Sequence, residues 1–197
     1  MKQSPVRDII GESVRVHWHM LLDETLQESI RKVAAEIVKA FRAGKKVLLC
    51  GNGGSAADAQ HIASELSGKF MLNREPLFAE ALHVNTSYLT ATANDYSFEE
   101  VYSRLVKAQG SKGDVLIGIS TSGNSVNVVN ALKEARKKKM ITVGMTGKKK
   151  SKADNHCDYR LKVPSENTAR IQEGHILIGH VICELVEMKI FKRSNQK

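Results

Sequence analysis

The chain has 197 residues, of which 42% are hydrophobic and 26% charged, with a formal charge of +9. This length suits one well-buried domain and leaves little room for two. No apolar run approaches the roughly 20 residues that span a bilayer, and the first ten residues lack a signal-peptide core. We therefore expect a cytoplasmic chain that has no membrane partner. Cys50, Cys157 and Cys183 are odd in number and widely spaced, so we expect buried, inert thiols.

The excess positive charge is concentrated in three short segments. They are residues 137–139, 148–152 and 192–197, which we interpret as a helix end, a loop and a frayed terminus. Aromatic residues make up only 5% of the chain and no nucleic-acid-binding motif is present, so solvated surface is favoured over a nucleic-acid partner. The alternative is that the positive electrostatic field of these segments attracts a phosphorylated metabolite.

Hydrophobic periodicity predicts the elements in chain order. Two helices are expected over about 8–43, with a break near 22–25, ahead of the first strand. After Gly44 strands and helices alternate, which predicts a parallel sheet covered on both faces. The predicted strands are 46–50, 79–84, 114–119, 141–146 and 158–163, and the predicted helices are 55–67, 87–93, 98–108, 125–139 and 168–191.

We interpret residues 1–197 as one domain. The helices of 1–44 are expected to pack on the core and at an oligomer interface, residues 45–192 form the α/β core, and 193–197 form a frayed tail. The loop 147–156 is expected to be flexible. Ligands of such sheets bind at the carboxyl ends of strands, beside a topological switch point.

A glycine-rich turn follows the first strand. The sequence CGNGGS at 50–55 lets the backbone turn with its N–H groups exposed, and Ser55 is placed to cap the next helix. Such a junction is a natural phosphate site. It has neither the Walker spacing nor the dinucleotide-binding spacing, and tight packing alone is the alternative.

A possible ligand pair lies on the helix after this turn. His61 and Glu65 are four residues apart, so their side chains lie on the same face of the helix and could together bind a metal or a sugar. For an isolated pair of this kind a surface ion pair is the alternative. His180 lies in an apolar helix, where a histidine serves either as a hydrogen-bonded core residue or as a catalyst facing another titratable group.

A second candidate phosphate loop follows the strand 114–119. The sequence STSGNS at 120–125 brings hydroxyls to a helix N-terminus. Hydroxyls and backbone amides bind a phosphate monoester with little positive charge, which suits reversible binding of a sugar phosphate. An ordinary Ser/Thr turn with a helix cap is the alternative.

Taken together, these motifs resemble the phosphoheptose isomerases, a family with the sugar isomerase (SIS) fold. The likeness runs over essentially the whole chain. The motifs that carry it are GNGGS at 51–55, His61 with Glu65, Asn94-Asp95, ISTSGNS at 119–125, and RIQE at 170–173 with His180.

The resemblance implies a flavodoxin-like three-layer sandwich, with a parallel sheet between helices, assembled as a homotetramer with sites at subunit interfaces. It implies conversion of D-sedoheptulose 7-phosphate to D-glycero-D-manno-heptose 7-phosphate through an enediol, the first step towards the ADP-heptose of lipopolysaccharide. The implied base is Glu65 and the implied acid is His180. The implied zinc ligands are His61, Glu65, Gln172 and His180. The implied substrate contacts are Asn52, Gly53, Gly54, Ser55, Glu65, Asn94, Asp95, Ser120, Thr121, Ser122, Ser125 and Gln172.

The spacing of two implied ligands bears on the assembly. Gln172 and His180 are eight residues apart, or about 12 Å along a straight helix. Their joint ligation of one ion favours a site completed across a subunit interface. Lys69 stands where the family commonly has arginine, Ala169 where some members have aspartate, and 148–150 where many have a glycine-rich loop.

Two rival functions belong to other classes. One is a non-catalytic regulator of the same fold that binds the replication initiator DnaA, and the other is a sugar-phosphate-sensing module. The presence of His61, Glu65 and His180 together favours the enzyme.

Overall fold

The structure, a computed structural model, describes residues 4–191, so the predicted tail 193–197 lies outside it. Helices α1 (Pro5–Leu22) and α2 (Glu24–Arg42) precede the sheet. Between them the Asp23 carboxylate accepts a hydrogen bond from the Leu26 N–H at 2.9 Å and caps α2, which confirms the predicted break. None of the helices within residues 4–191 combines the length and apolar character needed to cross a bilayer.

Five parallel strands form one sheet in the order β2-β1-β3-β4-β5. From β1 the chain moves out to β2 and then returns to β3 on the other side, so the switch point lies between β1 and β3. The predicted flavodoxin-like sheet is confirmed. The strands are β1 (Val47–Gly51), β2 (Ala79–Ala81), β3 (Val115–Ile119), β4 (Ile141–Gly147) and β5 (Tyr159–Val163). The later helices are α3 (Gly54–Ser67), α4 (Thr86–Asp95), α5 (Val101–Gln109), α6 (Val126–Lys137) and α7 (Thr168–Phe191).

Alternating side chains of the strands build two separate apolar layers. On β1, Val47 and Leu49 join the layer formed with α1, α2, α3 and α7. Leu48 and Cys50 point to the opposite face and pack with α4, α5 and α6. The helix-sheet-helix sandwich follows from these two layers. All three cysteines are buried and unpaired, as predicted.

Two local predictions were wrong for reasons of backbone geometry. Strand β2 ends at Ala81 rather than at residue 84, because it is an edge strand that pairs with β1 alone and the chain turns at Leu82. Ser55 does not cap α3. The cap is Gly53, whose φ of +56° favours glycine, and Ser55 is buried in the first turn. The other element boundaries agree within about three residues.

The loop 147–156 is also more ordered than the sequence predicted. The Asp154 carboxylate accepts hydrogen bonds from the Ser151 N–H at 2.9 Å and from Lys162 Nζ at 2.7 Å. These contacts hold a 3₁₀ turn at Ala153–His156, which packs against the sheet. Within this loop, Lys148, Lys149 and Lys150 are exposed.

Helix α1 is attached to the start of α7 by polar contacts. Ser13 Oγ donates to Glu173 Oε2 at 2.7 Å, and the Arg170 guanidinium lies 3.5 Å from Glu12 and donates to the Ile9 carbonyl at 3.2 Å. Arg170 and Glu173 of the RIQE motif therefore have a structural role in this chain. The outer side of α1 exposes large apolar side chains: Val6, Ile9, Ile10, Val14, Trp18, Leu21 and Leu22.

The buried His175 should make folding stability fall in acid. It is fully buried on α7, and burial lowers its pKa to about 4, although a contact with the Thr146 backbone opposes the shift. The unfolded chain binds this proton near its ordinary pKa of about 6.5, so stability is present above that pH and is lost as the pH falls towards 4. The expected contribution is about 3 kcal/mol.

Urea unfolding of the wild type and of His175→Leu between pH 4 and 7 checks this expectation. His175→Leu should flatten the pH dependence over that range. His19→Leu, which removes an exposed histidine of α1, is the control and should leave the slope unchanged. Equal slopes for wild type and His175→Leu would contradict the assignment.

Candidate functional site

Helices α3 and α7 lie side by side in unusually close contact. A Cβ atom at Gly179 of α7 would collide with the Ile62 side chain of α3, and a Cβ at Gly54 would collide with the Gln172 amide. Residues 54 and 62 thus oppose residues 172 and 179, so the two helices run in the same direction. At Gly179 the helix backbone lies directly against the Ile62 side chain, so residues next to this contact on the two helices can meet.

Three of the predicted metal ligands converge on this seam. His61 Nε2 lies 2.9 Å from His180 Nε2 and 3.3 Å from Glu65 Oε1. One ligand atom from each residue falls within 4.8 Å of the others. The three side chains come from a single chain, so their grouping does not require the subunit interface that the sequence favoured. The His61 side chain is 47% exposed, which leaves the triad open to solvent.

The donor types of this triad fit zinc. Two imidazole nitrogens and one carboxylate are ligands that zinc accepts, and catalytic zinc sites use three protein ligands with one position open for water or substrate. His61, Glu65 and His180 would hold the ion.

Gln172 occupies a different part of the seam. Its amide lies against Gly54, which precedes His61 by seven residues, or about 10 Å along α3. Ligation by Gln172 therefore stays a prediction that requires either side-chain movement or a Gln172 from another subunit. Its position beside the glycine loop is compatible with the predicted substrate contact.

A reciprocal pair of amide hydrogen bonds connects the loop after β1 to the first turn of α6. Asn52 Nδ2 donates to Asn127 Oδ1 at 2.9 Å, and Asn127 Nδ2 donates to Asn52 Oδ1 at 3.0 Å. The Tyr102 hydroxyl donates to the Gly51 carbonyl at 2.5 Å. Sequence reasoning missed Asn127 and Tyr102. Asn127 could have been noticed because it is a polar residue on the apolar face of α6. In the structure it is only 3% exposed.

The hydroxyl loop after β3 forms an uncharged cluster at the start of α6. Ser120 Oγ lies 2.9 Å from Ser125 Oγ and accepts a hydrogen bond from the Gly123 N–H at 3.1 Å. Ser122 Oγ accepts from the Asn124 N–H at 3.1 Å. Hydroxyls and backbone N–H groups at a helix N-terminus can bind a phosphate without a lysine or arginine.

Asn94 and Asp95 lie elsewhere, at the exposed end of α4. Asn94 Nδ2 donates to Asp95 Oδ1 at 3.0 Å. Within residues 4–191 no side-chain hydrogen bond joins either residue to the two loops. Their role as substrate contacts therefore stays a prediction.

A buried ion pair, missed from the sequence, fixes the segment 70–74, which contacts the triad at His180. Glu187 of α7 accepts hydrogen bonds from the Met71 and Leu72 N–H groups and from Arg74 Nε, each at 3.0 Å. Arg74 also donates to the Glu65 carbonyl at 2.7 Å. The sequence feature that could have revealed this pair is an acidic residue on the buried face of an apolar helix, because a buried carboxylate requires hydrogen-bond or charged partners.

Phe70 connects this segment to the triad. Its ring stacks on the His180 ring with a centroid distance of 5.7 Å and an interplanar angle of 25°. The Phe70 N–H is also directed at the Glu187 carboxylate, at 3.4 Å. The ion pair therefore helps to hold the aromatic ring that restricts His180.

Comparison with known proteins agrees with this arrangement. A model of the SIS domain family matches residues 13–147, so the fold and the two loops define a SIS domain. A phosphoheptose isomerase of Clostridium acetobutylicum is 50% identical over 92% of this chain and 93% of its own length. One from Burkholderia pseudomallei is 50% identical over 96% of both chains. This chain belongs to the phosphoheptose isomerase family.

A solved structure gives the same result for the fold. The phosphoheptose isomerase of Neisseria gonorrhoeae superposes with a TM-score of 0.86 at 42% identity, covering 92% of this chain and 96% of that one. The sequence resemblance and the SIS fold are thereby confirmed.

Replacement of two helical glycines by alanine should change stability in opposite directions, because only one of them lies in the close contact of α3 and α7. Gly179→Ala should destabilise the protein by about 1–3 kcal/mol through overpacking against Ile62. Gly11→Ala on α1, where a Cβ meets only the Arg15 guanidinium, is the control and should stabilise the helix by about 0.5–1 kcal/mol. Chemical denaturation measures both. A Gly179→Ala protein as stable as the wild type would contradict the close contact.

The ion pair at Glu187 should be important for stability. The Arg74 and Glu187 side chains are each 3% exposed, so Arg74→Met leaves a buried carboxylate without its counter-ion and should cost about 3–5 kcal/mol. The matched control is Arg31→Met, whose pair with Glu28 lies at the surface and should contribute far less. If denaturation gave the same loss for both variants, the structural role of Arg74 would be refuted.

Proposed function

We propose that this chain converts D-sedoheptulose 7-phosphate to D-glycero-D-manno-heptose 7-phosphate, an aldose–ketose isomerisation that begins ADP-heptose synthesis for lipopolysaccharide. The observation that carries the proposal is the convergence of His61, Glu65 and His180, in a fold that also has two uncharged loops suited to a phosphate. Membership of the phosphoheptose isomerase family, at 50% identity to relatives, supports it. No comparison favours the regulator that binds DnaA.

The loops would bind the phosphorylated end of the substrate. Backbone N–H groups and hydroxyls can hold a phosphate reversibly, as turnover of a sugar phosphate requires. His61 of the triad lies seven residues, or about 10 Å, along α3 from Gly54 of the glycine turn, a distance that an extended seven-carbon sugar phosphate could span. We assign substrate contacts to Asn52, Gly53, Gly54, Ser55, Glu65, Asn94, Asp95, Ser120, Thr121, Ser122, Ser125 and Gln172.

The proton movements can be assigned to two residues. Glu65 removes a proton from C1 of the ketose, the electron pair forms the C1–C2 double bond, and His180 donates a proton to O2. In the enediol that results, His180 takes the O1 proton back while Glu65 delivers its proton to C2. The aldehyde forms at C1, and both side chains return to their starting states.

Zinc is the cofactor that we assign to His61, Glu65 and His180, with Gln172 as the fourth predicted ligand. When bound, the ion supplies Lewis-acid polarisation of the substrate oxygens that gain negative charge. A carboxylate that shares its charge with a cation is a weaker base, and an imidazole nitrogen bound to zinc carries no proton. The dependence of turnover on zinc therefore also reports on the roles of Glu65 and His180.

We assign a homotetramer to the chain, with active sites near subunit interfaces. The exposed apolar side of α1 is continuous with an apolar groove between α1, α2 and α7. Contiguous apolar surface of this kind marks a protein interface in a chain of ordinary composition. The groove is lined by Met20, Leu21, Leu26, Ile30, Leu177, Val181 and Leu185, among others. A cytoplasmic location stays a prediction from the sequence.

Turnover of sedoheptulose 7-phosphate, with chelator and after readdition of zinc, tests the function. Activity should be lost on chelation and restored by zinc. Glu65→Gln and His180→Gln should each lower kcat by at least about 100-fold, since general acid–base groups contribute on that scale. Glu28→Gln, an exposed carboxylate on α2, is the matched control and should leave kcat unchanged.

The rival functions predict different outcomes. Near-normal activity of either triad variant would overturn the acid–base assignment. A folded protein that the sugar phosphate stabilises against heat, but that shows no turnover with any metal, would instead support the sensing module.

A further inference from the structure

A second cleft lies beside the hydroxyl loop, over the carboxyl ends of β4 and β5. Its volume is about 240 Å³. Its lining includes Thr121, Ser122 and Asn124 from the loop after β3, but not the hydrogen-bonded pair Ser120 and Ser125. The cleft therefore borders the hydroxyl loop next to that pair, since Ser122 Oγ lies 3.5 Å from Ser120 Oγ.

The opposite wall of the cleft is strongly basic. Lys148, Lys149 and Lys150 all line it, against a single carboxylate from Glu166. Lys149 Nζ lies 2.8 Å from Glu166 Oε2, and Lys148 Nζ lies 3.1 Å from Glu166 Oε1. Hydrogen bonds from Lys149 and Lys148 lower the pKa of Glu166. No ion pair of Lys150 is found within residues 4–191. The lining thus carries two positive charges in excess.

A run of lysines is ordinarily solvated surface, but this run is held in place by its backbone. The Gly147 N–H donates to the Thr121 carbonyl at 3.0 Å, and the Lys148 N–H donates to the Ser165 carbonyl at 3.2 Å. Lys162 Nζ donates to the Lys149 carbonyl at 3.0 Å. These contacts fix the backbone of residues 147–149 against the loops after β3 and β5, so the lysine side chains start from fixed positions around the cleft.

We propose that this cleft is a second anion site, which takes a phosphate or diphosphate group of a small metabolite. In the free protein the Glu166 carboxylate serves as the internal counter-ion, and the ligand displaces it from Lys148 and Lys149. The volume is below the roughly 300–1,000 Å³ of pockets for drug-sized ligands, so it suits the anionic group rather than a whole nucleotide. Hydroxyls of Ser165 and Thr168, which also line the cleft and are not among the assigned substrate contacts, supply uncharged partners.

The site would communicate with the substrate through the loop 120–125. An anion in the cleft and the phosphate of the sugar would both lie next to this one loop, and like charges repel at short range. Occupancy of the cleft is therefore expected to raise KM for the sugar phosphate while leaving kcat unchanged.

Calorimetric titration with pyrophosphate at low ionic strength tests the site. The double variant Lys149→Ala/Lys150→Ala should weaken one binding event by about tenfold or more, the loss expected when charge-assisted hydrogen bonds are removed. Lys152→Ala, an exposed lysine of the same segment outside the cleft lining, is the matched control and should change affinity less than about twofold. Glu166→Gln should tighten the same event, because it removes the competing carboxylate.

Repeating the titration with saturating sedoheptulose 7-phosphate separates this site from the substrate's own. The event that depends on Lys149 and Lys150 should persist with weaker affinity, because repulsion between the two bound anions acts equally on both. Its disappearance would assign these lysines to the substrate's phosphate and overturn the second site. Equal weakening by Lys152→Ala, or no tightening by Glu166→Gln, would reduce the effect to general surface charge and also refute the proposal. Turnover is measured in a separate assay. Its absence would contradict the proposed isomerase activity and would not affect the second anion site.

Discussion

The contact between Gly179 of α7 and Ile62 of α3 is the constraint on which the candidate active site depends. A larger side chain at position 179 would collide with the Ile62 side chain, so either Ile62 or the helices would have to move. With glycine there, the residues next in sequence, His61 and His180, bring their ring nitrogens to 2.9 Å. The triad is thus a consequence of backbone approach, which only a residue without a Cβ permits at this distance.

Two polar pairs, one partly and one fully buried, fix the geometry of the site. The amides of Asn52 and Asn127 satisfy each other across the switch point, so the loop after β1 keeps a fixed distance from the start of α6. The pair of Arg74 and Glu187 fixes the segment that carries Phe70 onto His180. Buried polar groups without partners are costly, so each pair disfavours alternative loop positions. A site whose donors are already oriented needs little reorganisation during the reaction.

Much of this arrangement could be predicted from local sequence pattern. Alternation of strands and helices gave the layers, and the four-residue spacing of His61 and Glu65 placed them on one face. Position 180 was recognised through resemblance, since an apolar helix does not itself reveal which histidine is functional. The role of Glu187 could not be predicted, because its partner Arg74 lies 113 residues away in sequence and only folding brings them together. The glycine cap at residue 53 depends on a φ value that sequence does not display.

Proton transfer through an enediol, at a solvent-open triad, is the central claim of this account. Incubation with sedoheptulose 7-phosphate in deuterated water, followed by proton NMR, tests it directly. Because the triad is open to water, the proton held by Glu65 should exchange, and the heptose 7-phosphate aldose should carry deuterium at C2. Conversion with complete retention of the original hydrogen would indicate a hydride shift and contradict the proton-transfer mechanism, and the absence of conversion by the zinc-loaded protein would contradict the isomerase itself.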